Sequence, residues 1–182
     1  NTIKNENGFL IGKNTDAIGA KLAIKDADFN VKGKRVLILG AGGASRAIAF
    51  SLASECESII IANRTFKKAK QLVEDLSQKT EVASRYIKFK SDIIEEVLES
   101  VDLLVNTTPI GMYPKKDDTP LPKRVLRKDL FVFDLIYNPY VTKLLHYADE
   151  MGCRTLNGLD MLVNQGAASF EWWTGVKPKK SL

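Results

Sequence analysis

The stretch from Val36 to Thr65, VLILGAGGASRAIAFSLASECESIIIANRT, constrains the fold more than any other. Val36 to Leu39 is a run of branched apolar residues, as in a strand buried on both faces. It stops at Gly40-Ala41-Gly42-Gly43. A helical stripe follows through Ala44, Ala47, Ile48, Ser51 and Leu52. A second apolar run, Ser58 to Ala62, ends at Asn63-Arg64-Thr65. Strand, glycine turn, helix and strand, in that order, predict the first unit of a dinucleotide-binding α/β fold.

Each part has a physical reason. Gly40 tolerates backbone angles that a side chain forbids. Gly42 and Gly43 lack Cβ atoms, so a pyrophosphate can approach the backbone. Free N–H groups at the helix start, at the positive end of its dipole, then face the phosphates. The third glycine of G-x-G-x-x-G is missing, with Ser45 in its place and Ala47 as the nearest small residue for packing on the strand.

The end of the second strand selects the dinucleotide. An Asp or Glu there would bind the ribose 2′-hydroxyl of NAD. This chain instead places Asn63, Arg64 and Thr65 there, with Lys67 and Lys68 a turn further on. A carboxylate would repel a 2′-phosphate. A guanidinium flanked by an amide and a hydroxyl binds one, each charged hydrogen bond contributing roughly 1.5–3 kcal/mol. NADP is therefore the expected cofactor. The competing reading makes Arg64 a solvated loop cation.

With 182 residues, 45% of them hydrophobic, the chain is long and apolar enough for a packed core. No apolar run reaches the ~18 residues of a membrane span. The first residues lack the apolar segment of a secretory signal. The chain opens on Asn1 without an initiator Met, which leads us to expect an upstream part. Cys56 and Cys153 match no metal spacing and read as reduced thiols of a cytoplasmic protein. His146, the only histidine, lies off the apolar stripe of its helix and reads as a surface residue. A His-based triad or a metal site is not expected. The net charge of +5 is spread over scattered lysines, densest at Lys177 to Lys180. A polyanionic cofactor and a solvated surface explain it better than nucleic acid, since no basic stripe with interleaved aromatics occurs.

In chain order, Ile3 to Ile11 predicts a hairpin with an Asn7-Gly8 turn, antiparallel and so outside a parallel sheet. A helix to about Asp28 follows, capped by Asn14 or Thr15. Its apolar residues fall on two sides, Ile18 and Leu22 against Ala20, Ala23, Ile24 and Ala27, as in a helix sandwiched between two lobes. Asp16, in its first turn, is explained on spacing alone by the helix dipole. Helices are expected at about 66–78, 92–99, 141–151 and 158–173, and further strands at 86–89, 102–106, 131–134 and 154–156. Asn106 to Pro114 is either a nicotinamide-contacting loop or an ordinary proline-terminated turn. Lys115 to Lys123 reads as a charged, mobile surface loop. In the last helix, Leu159, Leu162, Val163, Gly166, Ala167, Phe170 and Trp173 form the expected core stripe. Gly158, Met161, Gln165, Ser169 and Trp172 form a second stripe toward a cleft, where the Gln165 amide is placed to bind a ligand. The whole predicts a Rossmann-type, doubly wound parallel six-stranded sheet. Its order is 3-2-1-4-5-6 counted from the Val36 strand.

Seven segments together resemble the shikimate dehydrogenase family: NTI at Asn1, GKNTDAIG at Gly12, GAGGASRA at Gly40, NRT at Asn63, VNTTPIGM at Val105, DLIYNP at Asp134 and NGLDMLVNQGAASFEWWTG at Asn157. The resemblance covers nearly the whole chain. It implies interconversion of 3-dehydroshikimate and shikimate with NADP, a step of aromatic amino-acid synthesis. It implies the end of a substrate lobe and a linking helix at 1–28, an NADP-binding domain at 29–157, and a second linking helix and tail at 158–182. By position, Asp16 would be the catalytic aspartate, and Asn1, Asp16, Tyr137 and Gln165 would bind substrate. Gly40, Ala41, Gly42, Gly43 and Ala44 would hold the pyrophosphate. Asn63, Arg64, Thr65 and Lys68 would hold the 2′-phosphate and adenosine ribose, and Ile136 and Gly158 would line the nicotinamide pocket. The family's catalytic lysine belongs to the substrate lobe ahead of Asn1, and Lys13 does not match its motif, so this chain alone is expected to bind NADP and turn over little. The implied partners are the small-molecule substrate and a second copy of the chain, without nucleic acid or membrane. The rival readings are a quinate/shikimate dehydrogenase using NAD and a non-catalytic NADP-binding module.

Overall fold

The computed structural model describes residues 1–179; the end of the lysine run and of the predicted tail, 180–182, lies outside the described residues. Eight strands and six helices follow in the order β1 (Thr2–Glu6), β2 (Phe9–Lys13), α1 (Asp16–Asp26), β3 (Arg35–Leu39), α2 (Gly43–Leu52), β4 (Ser58–Asn63), α3 (Phe66–Lys79), β5 (Ala83–Lys88), α4 (Ser91–Leu98), β6 (Leu103–Asn106), β7 (Phe131–Asp134), α5 (Lys143–Glu150), β8 (Arg154–Leu156) and α6 (Gly158–Thr174). A short 3-10 turn at Lys123–Val125, unforeseen in the sequence, precedes β7.

The sheet runs β5-β4-β3-β6-β7-β8, all parallel. This is the expected 3-2-1-4-5-6 order. Along β3 the side chains alternate between two cores. Val36 and Ile38 join α1, α2 and α3 on one face. Leu37 and Leu39 join α4, α5 and the 121–130 segment on the other. Covering both faces is what makes the central strands apolar throughout. The chain moves from β3 outward to β5, then returns to β6 and moves outward the other way. The crevice between the carboxyl ends of β3 and β6 is thus the topological switch point, where such sheets bind ligands.

The hairpin forms as predicted, with Asn7 at φ 53° and Gly8 at φ 91° in its turn. Asn14, not the Thr15 hydroxyl, caps α1: its Oδ1 accepts from Asp16 N at 3.0 Å and Ala17 N at 3.3 Å. Several expectations need correction. β5 begins three residues before Tyr86. α5 begins at Lys143, because the Thr142 side chain caps it by accepting from Leu145 N. The 115–123 segment is not all surface, since Leu121 is buried in the second core. Only one side of α1, with Gly19, Ala20, Ala23 and Ile24, is fully buried, against α2 and α6. Ile18 stays exposed. In α6 the expected core stripe is the exposed one: Leu159, Leu162, Val163, Phe170 and Trp173 all reach solvent. Gly158, Met161, Asn164 and Ser169 are buried instead. The cause is close helix packing. A Cβ at Gly19 would lie 2.7 Å from Met161 O and 2.8 Å from Gln165 Cβ, so the missing side chain lets the Met161–Gln165 side of α6 come into backbone contact with α1.

Candidate functional site

Two adjoining clefts lie along the carboxyl edge of the sheet. The first gathers Gly40 from β3, Asn63 and Arg64 from β4, Phe89 after β5, and Thr107 to Ile110 after β6. A neighbouring depression joins Ala41, Gly42 and Gly43 to Arg46, Lys68, Gln71 and Leu72. The second cleft, of about 320 Å³, gathers Asn1, Asp16, Ala44, Leu135, Tyr137, Gly158, Met161, Leu162 and Gln165. Gly42 lines both the first cleft and the depression, Gly43 lines the depression and Ala44 the second cleft, so the glycine turn runs from one to the other. Nearly all the sequence-predicted site residues thus meet along one groove, though separated by up to 164 positions in the chain. Ile136 lines neither cleft: it is buried, only 6% exposed, with its carbonyl accepting from Gly158 N at 3.1 Å, and Thr65 is exposed at the turn into α3.

The glycine turn has the shape a phosphate needs. Gly40 sits at φ 113°, and a Cβ there would collide with Thr107 Oγ1. Nothing lies within 4 Å of a Cβ built on Gly42 or Gly43, so the space above them is open. Not every amide there is free, however. The Gly42 N–H donates to Ser45 Oγ at 3.1 Å, and the Gly40 N–H to Ala62 O at 2.8 Å. The N–H groups of the first helical turn, Gly43 to Ser45, remain for a ligand. Ser45, in the place of the third glycine, is buried and shares a 2.6 Å hydrogen bond with Thr107, whose hydroxyl also lies 2.6 Å from Leu39 O. A hydroxyl pair therefore ties the turn after β3 to the loop after β6. No spacing rule in the sequence signals this pair.

At the end of β4, the Asn63 side chain donates to Thr65 O at 2.9 Å and shapes the turn. Arg64, Lys67 and Lys68 are exposed and have no carboxylate partner among the described residues. Arg46, in contrast, is ion-paired with Asp75, which also accepts from Gln71 at 3.1 Å. The Arg46 hydrogen bond, more than any other contact, holds the Asp75 carboxyl below the usual range. Arg64 and Lys68 line the hollows over the open glycine turn, a charge arrangement suited to a phosphorylated ligand.

In the second cleft the Asn1 amide donates to Asp16 Oδ1 at 2.7 Å and lies 3.4 Å from Gln165 Oε1. Its own Oδ1 accepts from Thr15 N at 2.8 Å. Beneath them Thr2, Thr15 and Ser169 form a buried ring of hydroxyls, with separations of 3.1, 2.8 and 3.0 Å. That ring joins the hairpin, α1 and α6 under the polar cluster, and the sequence held no sign of it. Tyr137 projects from the loop after β7 and is half exposed. Gly158 is required by space: a Cβ there would collide with Leu135 O. Lys13 Nζ lies 5.7 Å from the centre of the Trp172 ring. The arrangement suits a small polyhydroxylated molecule held by amides, a carboxylate and a phenol.

Asp134 closes β7 with no exposed surface. It accepts from Asn106 Nδ2 at 3.0 Å, Ile136 N at 3.2 Å and Thr142 Oγ1 at 2.6 Å. Burial pushes its carboxyl up to about 6, against the pull of those three bonds. His146 is exposed, with Nε2 3.7 Å from Glu150, and plays no part in either cleft. No group of His, Cys, Asp and Glu among the described residues could hold a metal. A larger groove of about 550 Å³ opens near the ends of α1 and α2, away from the carboxyl edge. Its Lys21 and Glu55 pair with each other, and Lys25 and Asp28 also line it.

The comparisons agree with this geometry. Residues 21–143 match the family model described as "Shikimate / quinate 5-dehydrogenase", and residues 158–182 match "Shikimate 5'-dehydrogenase C-terminal domain". The chain is 48% identical over 180 residues to the shikimate dehydrogenase (NADP(+)) of Methanocaldococcus jannaschii, covering 98% of this chain and 63% of that protein. Among solved structures, the Listeria monocytogenes shikimate 5-dehydrogenase in complex with shikimate and NAD superposes with a TM-score of 0.90 at 36% identity, over 96% of this chain and 63% of that one. A shikimate dehydrogenase in complex with NADP+ superposes with a TM-score of 0.88 at 45% identity, over 97% of this chain and 61% of that one. The chain therefore spans somewhat over three-fifths of the length of these relatives. With a family model matching residues 21–143 of a chain whose sheet carries a switch-point cleft and a glycine turn, the chain belongs to the shikimate/quinate 5-dehydrogenase family.

Proposed function

We propose that this chain is the NADP-binding part of a shikimate dehydrogenase, an oxidoreductase interconverting 3-dehydroshikimate and shikimate in aromatic amino-acid biosynthesis. The observation that carries the reading is the pairing of an open glycine turn with Arg64 and Lys68, which have no carboxylate partner among the described residues. In this reading Gly40 to Ala44 hold the pyrophosphate, and Asn63, Arg64, Thr65 and Lys68 hold the 2′-phosphate and adenosine ribose. Ile136 and Gly158 wall the nicotinamide pocket. Bound NADPH supplies the hydride. A ketone under reduction develops negative charge on oxygen, which the site must stabilise and protonate. Asn1, Tyr137 and Gln165 fix the substrate, and Asp16, oriented by the Asn1 amide, binds a substrate hydroxyl and orients the proton donor. The division at 1–28, 29–157 and 158–182 is proposed with it. Burial pushes the Cys56 thiol up to about 11, which suits an unreactive thiol in a reducing, cytoplasmic setting.

NAD is the second candidate, since the Listeria relative is described with NAD. Calorimetric titration with NADP and NAD side by side separates the two. NADP is expected to bind more tightly, and Arg64→Ala to remove about 1.5–3 kcal/mol from NADP while leaving NAD nearly unchanged. Equal weakening of both would exclude the 2′-phosphate contact. In a protein spanning the relatives' full length, Asp16→Asn is expected to lower shikimate oxidation strongly. Unchanged turnover there would remove Asp16 from the chemistry.

A further inference from the structure

Asp134 is a buried carboxylate to which neither the sequence reading nor the site described above gives a task. Its surroundings are unusual. Three donors reach it from three different elements: the Asn106 side chain at the end of β6, the Ile136 N–H in the loop after β7, and the Thr142 hydroxyl that caps α5. The connection continues on the β6 side. Asn106 Oδ1 accepts both the N–H and the hydroxyl of Thr108, at 3.0 and 2.7 Å. Thr108 Oγ1 accepts from Ile110 N at 3.3 Å. Thr108 and Ile110 face the cleft that holds Gly40 and Arg64, whereas Ile136 and Tyr137 stand beside the cleft that holds Asp16. Gly111 completes the junction. A Cβ there would touch Thr142 Cβ at 3.7 Å and Ile136 Cδ1 at 3.8 Å, so the loop already rests against both.

We propose that Asp134 is a positioning residue whose carboxylate locks the Thr108–Ile110 loop to the Ile136–Tyr137 turn, setting the walls of the nicotinamide pocket before cofactor enters. A purely structural carboxylate would be a poor choice for this place. Burying it is costly, and an apolar side chain in its position would fill the same space at less expense. What an apolar side chain lacks is a pair of acceptors that fixes three loops in one mutual arrangement. The adenosine end of the cofactor site, at Arg64 and Lys68, is built around the end of β4 and the start of α3; Arg64 shares its cleft with Thr108 and Ile110, but among the described residues no hydrogen bond joins the Arg64 or Lys68 side chain to the Asp134 network. The proposal rests on the NADP reading and predicts that the two halves of the cofactor respond differently.

The experiment is calorimetric titration of the chain with NADP and with 2′,5′-ADP, which keeps the adenosine end and lacks the nicotinamide half. Asp134→Asn and, independently, Thr142→Val are expected to weaken NADP about tenfold, the size of one lost positioning bond, while 2′,5′-ADP binding stays within about twofold. Thr142→Ser, which keeps the hydroxyl, is expected to restore NADP affinity. If Asp134→Asn does not fold, Thr142→Val alone decides. Equal losses for both ligands, or no loss for NADP, overturn the positioning role while leaving the cofactor reading intact. A wild-type chain that binds neither ligand overturns the cofactor reading, and the proposal with it.

Discussion

Asp134 also sets a pH dependence, and its sign is opposite to that of a salt-bridged carboxylate. Its ordinary value is 3.8, and burial raises it to about 6 in the folded chain. Between those values the folded chain keeps a proton that the unfolded chain has released. Its stabilising contribution is therefore complete on the acid side and is lost as pH rises to about 6, by on the order of 3 kcal/mol. Urea unfolding of wild type and Asp134→Asn from about pH 4 to pH 7 checks this, and the wild type should lose stability relative to the variant until about pH 6, then run parallel. Asp75 works in the other direction, its carboxyl held low first by the Arg46 hydrogen bond, so its effect lies below this window. Arg64 belongs to the same scale. Its residue type alone pointed to a 2′-phosphate, but that it has no carboxylate partner among the described residues is a tertiary fact.

At the scale of elements, the glycine turn between β3 and α2 separates space needed by the fold from space kept for a ligand. Gly40→Ala places a side chain at φ 113° against Thr107 Oγ1, and should cost at least about 1–3 kcal/mol in denaturant melts. Gly43→Ala meets nothing within 4 Å and occupies a helical position, so stability should hold or rise by up to about 1 kcal/mol. The same variant should lose NADP affinity, because the added methyl group fills the open space over the turn. Retained affinity would mean that the pyrophosphate does not sit there. Helix α6 shows where reading by element fails. Its apolar residues were assigned to the core, yet Val163 and Trp173 are 45% and 51% exposed. Periodicity finds the stripes on a helix but not which one faces a neighbour; here the Met161–Gln165 side meets Gly19 on α1.

For the whole molecule, the six-stranded sheet keeps two cores apart. Ile48 on α2 lies in one and Leu144 on α5 in the other, both essentially without exposed surface. Ile48→Ala and Leu144→Ala should each cost about 2–5 kcal/mol, and the double variant about their sum, because no packed neighbour is shared. Chemical denaturation of the three variants reads this directly. A marked shortfall from additivity would show that the sheet transmits strain from one layer to the other.

The order of the parallel sheet, the glycine turn and the cationic corner after β4 were all determined by sequence alone, because each depends on local residue type and short-range periodicity. Burial on both faces demands continuous apolar strands, a close backbone approach demands glycine, and a 2′-phosphate demands cations in place of a carboxylate. Tertiary structure decided the rest. Asn1, Asp16 and Gln165 meet only because α1 and α6 cross in close contact. The Ser45–Thr107 pair and the Asp134 network join side chains 62 and 28 positions apart. A hydrogen bond depends on distance and direction between atoms, and those are set only once strands and helices have packed.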